Sequence, residues 1–92
     1  MEGQECGVEN PPASKRLCLR AVAEADPNAL IRVLQLFQQL NVIPHRVIAE
    51  AATTCQLHIE IYVTGVSEER LSLIAAKAAQ VTIIRQAYWH FA

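Results

Sequence analysis

The sequence predicts an α+β domain in which a four-stranded antiparallel sheet carries two helices on one face, in the order βαββαβ. Three observations predict it. Strict two-residue alternation of apolar side chains at 15–24 and 56–63 marks half-buried strands. Apolar residues three and four apart at about 27–40 and 68–79 mark amphipathic helices. Asp26-Pro27, Asn41, Pro44 and Gly65 fall where one period gives way to the other.

The first strand begins near Lys15, with Leu17, Leu19, Ala21 and Ala23 on one face and Cys18, Arg20, Val22 and Glu24 on the other. Asp26 can cap a helix, and Pro27 at the first helical position loses no hydrogen bond. The helix carries Leu30, Val33, Leu34, Phe37 and Leu40 inward, with Arg32, Gln35, Gln38 and Gln39 outward. Asn41 tolerates the left-handed conformation that ends helices, and Pro44 blocks continuation. A second strand is expected from Ile43 to about Thr53, with Thr53-Thr54 as a turn. The third strand alternates Leu57, Ile59, Ile61 and Val63 with His58, Glu60 and Tyr62.

Ser67 then caps a second helix over about 68–79, with Leu71, Ile74, Ala75 and Ala78 inward. A last strand is expected from Val81 to about Tyr88, with Tyr88, Trp89 and Phe91 gathered as a hydrophobic plug or interface anchor. Right-handed crossovers between parallel neighbours place both helices on one side, the ferredoxin-like arrangement. Residues 15–92 are expected to form this domain, and residues 1–14, poor in large apolar side chains, a flexible tail.

Composition narrows the function. Ninety-two residues bury a modest core, while 52% hydrophobic and 18% charged residues leave apolar surface to spare. That excess points to an interface and a homodimer. A formal net charge of -1 argues against nucleic acid, and no apolar run approaches the roughly 20 residues needed to cross a bilayer. The opening Met1-Glu2-Gly3-Gln4-Glu5 lacks the basic and apolar regions of a secretion signal, so the expected location is cytoplasmic. Cys6, Cys18 and Cys55 are odd in number and widely spaced, which fits reduced thiols and no zinc site. No cofactor and no catalytic residue is implied, because no serine or cysteine has a context suggesting activation by a base.

The best candidate site is the turn into the first helix, at Asp26, Asn28, Ala29 and Leu30. Backbone N–H groups at a helix start can receive a carboxylate, although capping alone also explains these residues. His45 and Arg46 open the second strand, expected beside that turn, and Arg46 is suited to a bidentate carboxylate contact. His58 and Glu60 share the outer face of the third strand, where they either pair across a dimer or face water.

The run from Ala25 through Asp26-Pro27-Asn28-Ala29-Leu30 to Phe37, followed by Asn41-Val42-Ile43 and a strand, resembles the opening of an ACT domain. It is most similar to the small regulatory subunit of acetohydroxyacid synthase. The resemblance implies side-by-side pairing, an amino-acid effector at the junction and a catalytic subunit of a biosynthetic enzyme as partner. It also brings Ile43 into the site, where those regulatory subunits favour asparagine. Asn28 stands where the family usually has glycine.

Overall fold

The computed structural model describes residues 15–92. The tail expected at 1–14 lies outside the described residues. Six elements follow in order: β1 (Arg16–Glu24), α1 (Pro27–Gln39), β2 (Arg46–Ala51), β3 (Gln56–Thr64), α2 (Glu68–Ala79) and β4 (Ile84–Phe91). They form one four-stranded sheet in the order β2-β3-β1-β4, with all three pairings antiparallel. This is the anticipated ferredoxin-like βαββαβ fold. The parallel strands are not neighbours, however. β3 lies between β1 and β2, and β1 lies between β3 and β4, so each crossover skips a strand.

The register explains the core. Leu17, Leu19, Ala21 and Ala23 of β1 stand opposite Val63, Ile61, Ile59 and Leu57 of β3. Directly opposed residues share a face, so these eight form one apolar surface. Val33 and Phe37 of α1 and Leu71 and Ile74 of α2 complete the same buried cluster. Burying each large member contributes about 1.5 to 3 kcal/mol, well above the few tenths that helix propensity gives.

The helix ends follow local chemistry. Asp26 Oδ1 accepts the Asn28 N–H at 2.8 Å, with Pro27 at the first helical position. At the other end Asn41 takes φ 58, and the Val42 N–H reaches Phe37 O at 2.8 Å while the Asn41 N–H reaches Gln38 O at 3.0 Å. That is a Schellman closure, sealed by the burial of Val42. Ser67 Oγ accepts the Arg70 N–H at 3.1 Å and caps α2.

Three expectations are corrected. β2 starts at Arg46 rather than Ile43, because the Schellman turn and the donorless Pro44 occupy 41–44. β4 starts at Ile84 and runs through Phe91, not from Val81 to Tyr88. The β-branched run Val81-Thr82-Ile83 is spent on turns, with Val81 N–H on Ala78 O and Ile84 N–H on Val81 O. Consequently the terminal aromatics are strand residues that divide between faces. Trp89 and Phe91 oppose Leu19 and Leu17 on the helix side, in edge-to-face contact at 5.4 Å, while Tyr88 opposes Arg20 on the other. Trp89 Nε1 donates to Ser72 Oγ at 2.7 Å and ties β4 to α2.

Phe37 accepts the Val42 N–H at the helix closure, and its side chain is buried in the same core cluster as the apolar sheet residues. Its replacement by alanine is expected to cost about 3 to 5 kcal/mol, read from urea unfolding as a lower midpoint with unchanged slope. A loss under about 1 kcal/mol contradicts this account of the core.

Candidate functional site

The residues singled out from sequence fall at two ends of the molecule. Asp26, Asn28, Ala29 and Leu30 lie where β1 ends, level with Gln56 at the start of β3. Ile43, His45 and Arg46 lie where β3 ends, since Arg46 opposes Tyr62 and the His45 N–H donates to Tyr62 O at 2.9 Å. About 20 Å of strand separates the two groups. Within one chain the second strand does not begin beside the turn, contrary to expectation. The reason is direction: β1 and β2 both run antiparallel to β3, so the end of one and the start of the other are at opposite poles.

The turn itself uses its donors. Pro27 has none, the Asn28 N–H is held by Asp26 Oδ1, and the Ala29 N–H bonds Asp26 O at 2.9 Å. The Asp26 carboxylate therefore occupies the position from which an incoming carboxylate would draw its first contacts.

A cleft of about 490 Å³ opens at the other pole, lined by Asn41, Val42, Ile43, Thr64, Ser67 and Arg70 among others. Arg70 Nη1 reaches Leu40 O at 3.4 Å across it. A second hollow of about 350 Å³ shares Asn41, Val42 and Ile43 and is closed by Leu34 and Phe37. Ile43 is 86% exposed between the two. Sequence reading missed Thr64, Ser67 and Arg70 as lining residues. Asn41 and Gly65, both at positive φ, were legible as element ends, but only the strand register brings their turns together.

The sheet face away from the helices carries a polar network on a sealed thiol. Arg20 Nη1 meets Glu60 Oε2 at 2.9 Å, and the Tyr62 hydroxyl donates to Glu60 Oε1 at 2.9 Å. Glu60 is thus paired with Arg20 and Tyr62 of its own chain. Cys18, on the same face, is fully enclosed, although the alternation placed it outward. Burial pushes its thiol pKa up, and the nearby Glu60 charge adds to this. The Glu60 hydrogen bond is the main cause that raises the Tyr62 phenol. Cys55 is exposed in the β2–β3 connection, where Thr53 Oγ1 accepts the Cys55 and Gln56 N–H groups. Among the described residues no cluster of histidine, cysteine and carboxylate side chains could hold a metal ion, and no helix is long and apolar enough to cross a membrane.

Peptide mapping after iodoacetamide treatment is expected to show Cys55 alkylated and Cys18 untouched until the protein is denatured. Spectrophotometric titration of Glu60→Gln is expected to bring the Tyr62 phenol down toward its ordinary value, because the carboxylate acceptor that favours the neutral hydroxyl is gone. An unmoved Tyr62 titration contradicts the network.

Residues 13–91 match a family model described as an ACT-like domain. Solved structures with similar folds include the C-terminal domain of the MgtC protein from Mycobacterium tuberculosis, at TM-score 0.72 and 11% identity over 90% of this chain and 93% of that one. The ACT domain from GTP pyrophosphokinase of Chlorobium tepidum aligns at TM-score 0.70 and 9% identity, covering 84% of this chain and 99% of that one. A homoserine dehydrogenase from Thiobacillus denitrificans aligns at TM-score 0.67 and 15% identity, covering 85% of this chain but 17% of that one. No curated protein matches the chain. With its strand order, its helix-covered face and nearly its whole length accounted for, the chain belongs to the ACT-like domain family.

Proposed function

We propose that this chain is a non-catalytic regulatory domain that works in pairs, senses an amino acid at the junction between chains and modulates an enzyme of amino-acid biosynthesis. One observation carries the reading. On the helix side of the sheet, Val47, Ala49 and Ala51 of the outer strand are all exposed, and Ile31 and Ile43 add large apolar side chains exposed to water. Apolar surface of that kind marks an association site.

The side chains best placed for chemistry are committed elsewhere, which supports a non-catalytic role. Glu60 is taken by Arg20 and Tyr62, and burial holds the Cys18 thiol in its neutral, unreactive form. Similar folds occur as named parts of larger proteins, the C-terminal domain of MgtC and the ACT domain of a GTP pyrophosphokinase, which fits a module that modulates a partner. An amino acid is the proposed effector, held by the Asp26–Leu30 turn of one chain with Ile43, His45 and Arg46 of the other. Those groups are a sheet-length apart in one chain, so a second chain running in the opposite direction is what brings them level.

A second reading, a pairing module with no effector, is favoured by the engaged Asn28 and Ala29 N–H groups and by the apolar Ile43. Titration with the common amino acids, followed by amide resonances, separates the two. Saturable shifts at both 26–31 and 43–46 are expected for the sensing domain. A persistent dimer whose resonances no amino acid moves selects the module without an effector.

A further inference from the structure

The strand register leaves a gap at the pole where β3 ends. β2 begins opposite Tyr62, so Val63 and Thr64 run past it and are paired on the β1 side alone. Residues 41–44 are spent on the Schellman turn and Pro44 rather than on pairing, and the space left beside Thr64 is the cleft of about 490 Å³. Asn41, Val42 and Ile43 line both this cleft and the hollow of about 350 Å³, so the two are neighbours across one turn. Each volume is of the size that holds a small ligand. Their chemistry differs: Thr64, Ser67 and Arg70 line the larger, whereas Leu34, Phe37 and Pro44 wall the smaller.

Arg70 sets the polarity of the larger cavity. A guanidinium carries five N–H donors, and the contact described for this one is Nη1 on Leu40 O at a long 3.4 Å. Among the described residues the ion pairs are Lys15 with Glu68, Arg20 with Glu60 and Arg85 with Glu24, so Arg70 meets no carboxylate there. An arginine lining a cavity with donors to spare is suited to a bidentate carboxylate contact. We propose that the two cavities form one site, complete within each chain, for a small amphipathic carboxylate. Its carboxylate meets Arg70, and its short apolar tail crosses the 41–43 turn into the hollow walled by Leu34, Phe37 and Pro44.

This goes beyond the sensing site proposed above, which takes groups from two chains, whereas here every contact comes from one. The walls set the ligand class. A sugar or a dicarboxylate would leave polar groups against Leu34 and Phe37, stripped of water without a partner. An apolar amine would bring its ammonium against the like charge of Arg70. Ile43 stands between the cavities and is 86% exposed, and a tail lying over it takes that apolar surface out of water. A fatty acid and an apolar α-amino acid share this chemistry. They differ in the ammonium group, for which Leu40 O beside the guanidinium is the acceptor at hand.

Titration of the intact protein with octanoate, leucine and octylamine, followed by amide resonances, tests the site. Octanoate is expected to shift residues 41–43 and 64–70 saturably, and octylamine, with the same tail and the opposite charge, to leave them unmoved. Leucine moving the same residues supports the site with an amino acid as its source, and octanoate acting alone supports it with a simple acid. Arg70→Gln is expected to weaken octanoate binding at least about tenfold while the rest of the spectrum is unchanged. Ile43→Asp, at an exposed position, is expected to weaken it as well, by setting a charge beside the tail. Octanoate that leaves 64–70 unmoved, octylamine that binds equally well, or affinity indifferent to Arg70→Gln overturns the proposal. Leucine shifts at 26–31 and 43–46 with none at 64–70 overturn it while leaving the two-chain sensing site intact.

Discussion

The structure depends on β1 being the central strand with one face sealed. It hydrogen-bonds β3 on one side and β4 on the other, while Leu17, Leu19, Ala21 and Ala23 are enclosed beneath the helices. Every later feature follows from that placement. With β1 and β3 central, β2 and β4 become edges, and the crossovers must each skip a strand. β4 is tied to α2 through Trp89 and Ser72, whereas β2 keeps its helix-side residues exposed. The two edges are therefore unlike, one tied to a helix and the other carrying exposed apolar side chains.

Much of this was legible in the residues. The period-two pattern of β1 and β3 named the buried face because a one-residue slip would have turned every apolar side chain to water. Leu71, Ile74, Ala75 and Ala78 of α2 were readable for the corresponding helical reason and are all buried. Asp26, Asn41 and Ser67 announced their helix ends through capping chemistry that is local and therefore visible in sequence. What failed was information that tertiary context decides. Val81-Thr82-Ile83 has strong strand propensity, yet the helix end claims it for turns. Cys18 sits on the outward half of an alternating strand and is nevertheless sealed.

The candidate site was less legible, and for a geometric reason. Residue types at Asp26–Leu30 and at His45-Arg46 suit a carboxylate, but sequence does not say which strand poles coincide. The register does, and it places these groups far apart in one chain while gathering Asn41, Thr64, Ser67 and Arg70 around a cleft. A turn that satisfies its own donors through Asp26 has less to offer an anion than the same turn without that carboxylate.

Amide hydrogen exchange along β2 in the intact protein tests the central claim most directly. The Ala52 N–H on Gln56 O puts Ile48 and Glu50 among the residues that bond inward to β3, and Val47 and Ala49 among those that face outward. If β2 is an interface, the Val47 and Ala49 N–H groups are therefore protected too, and dilution strips protection from that pair alone. Rapid exchange at Val47 and Ala49 at every concentration, beside protected even-numbered amides, would show a bare edge and contradict the account.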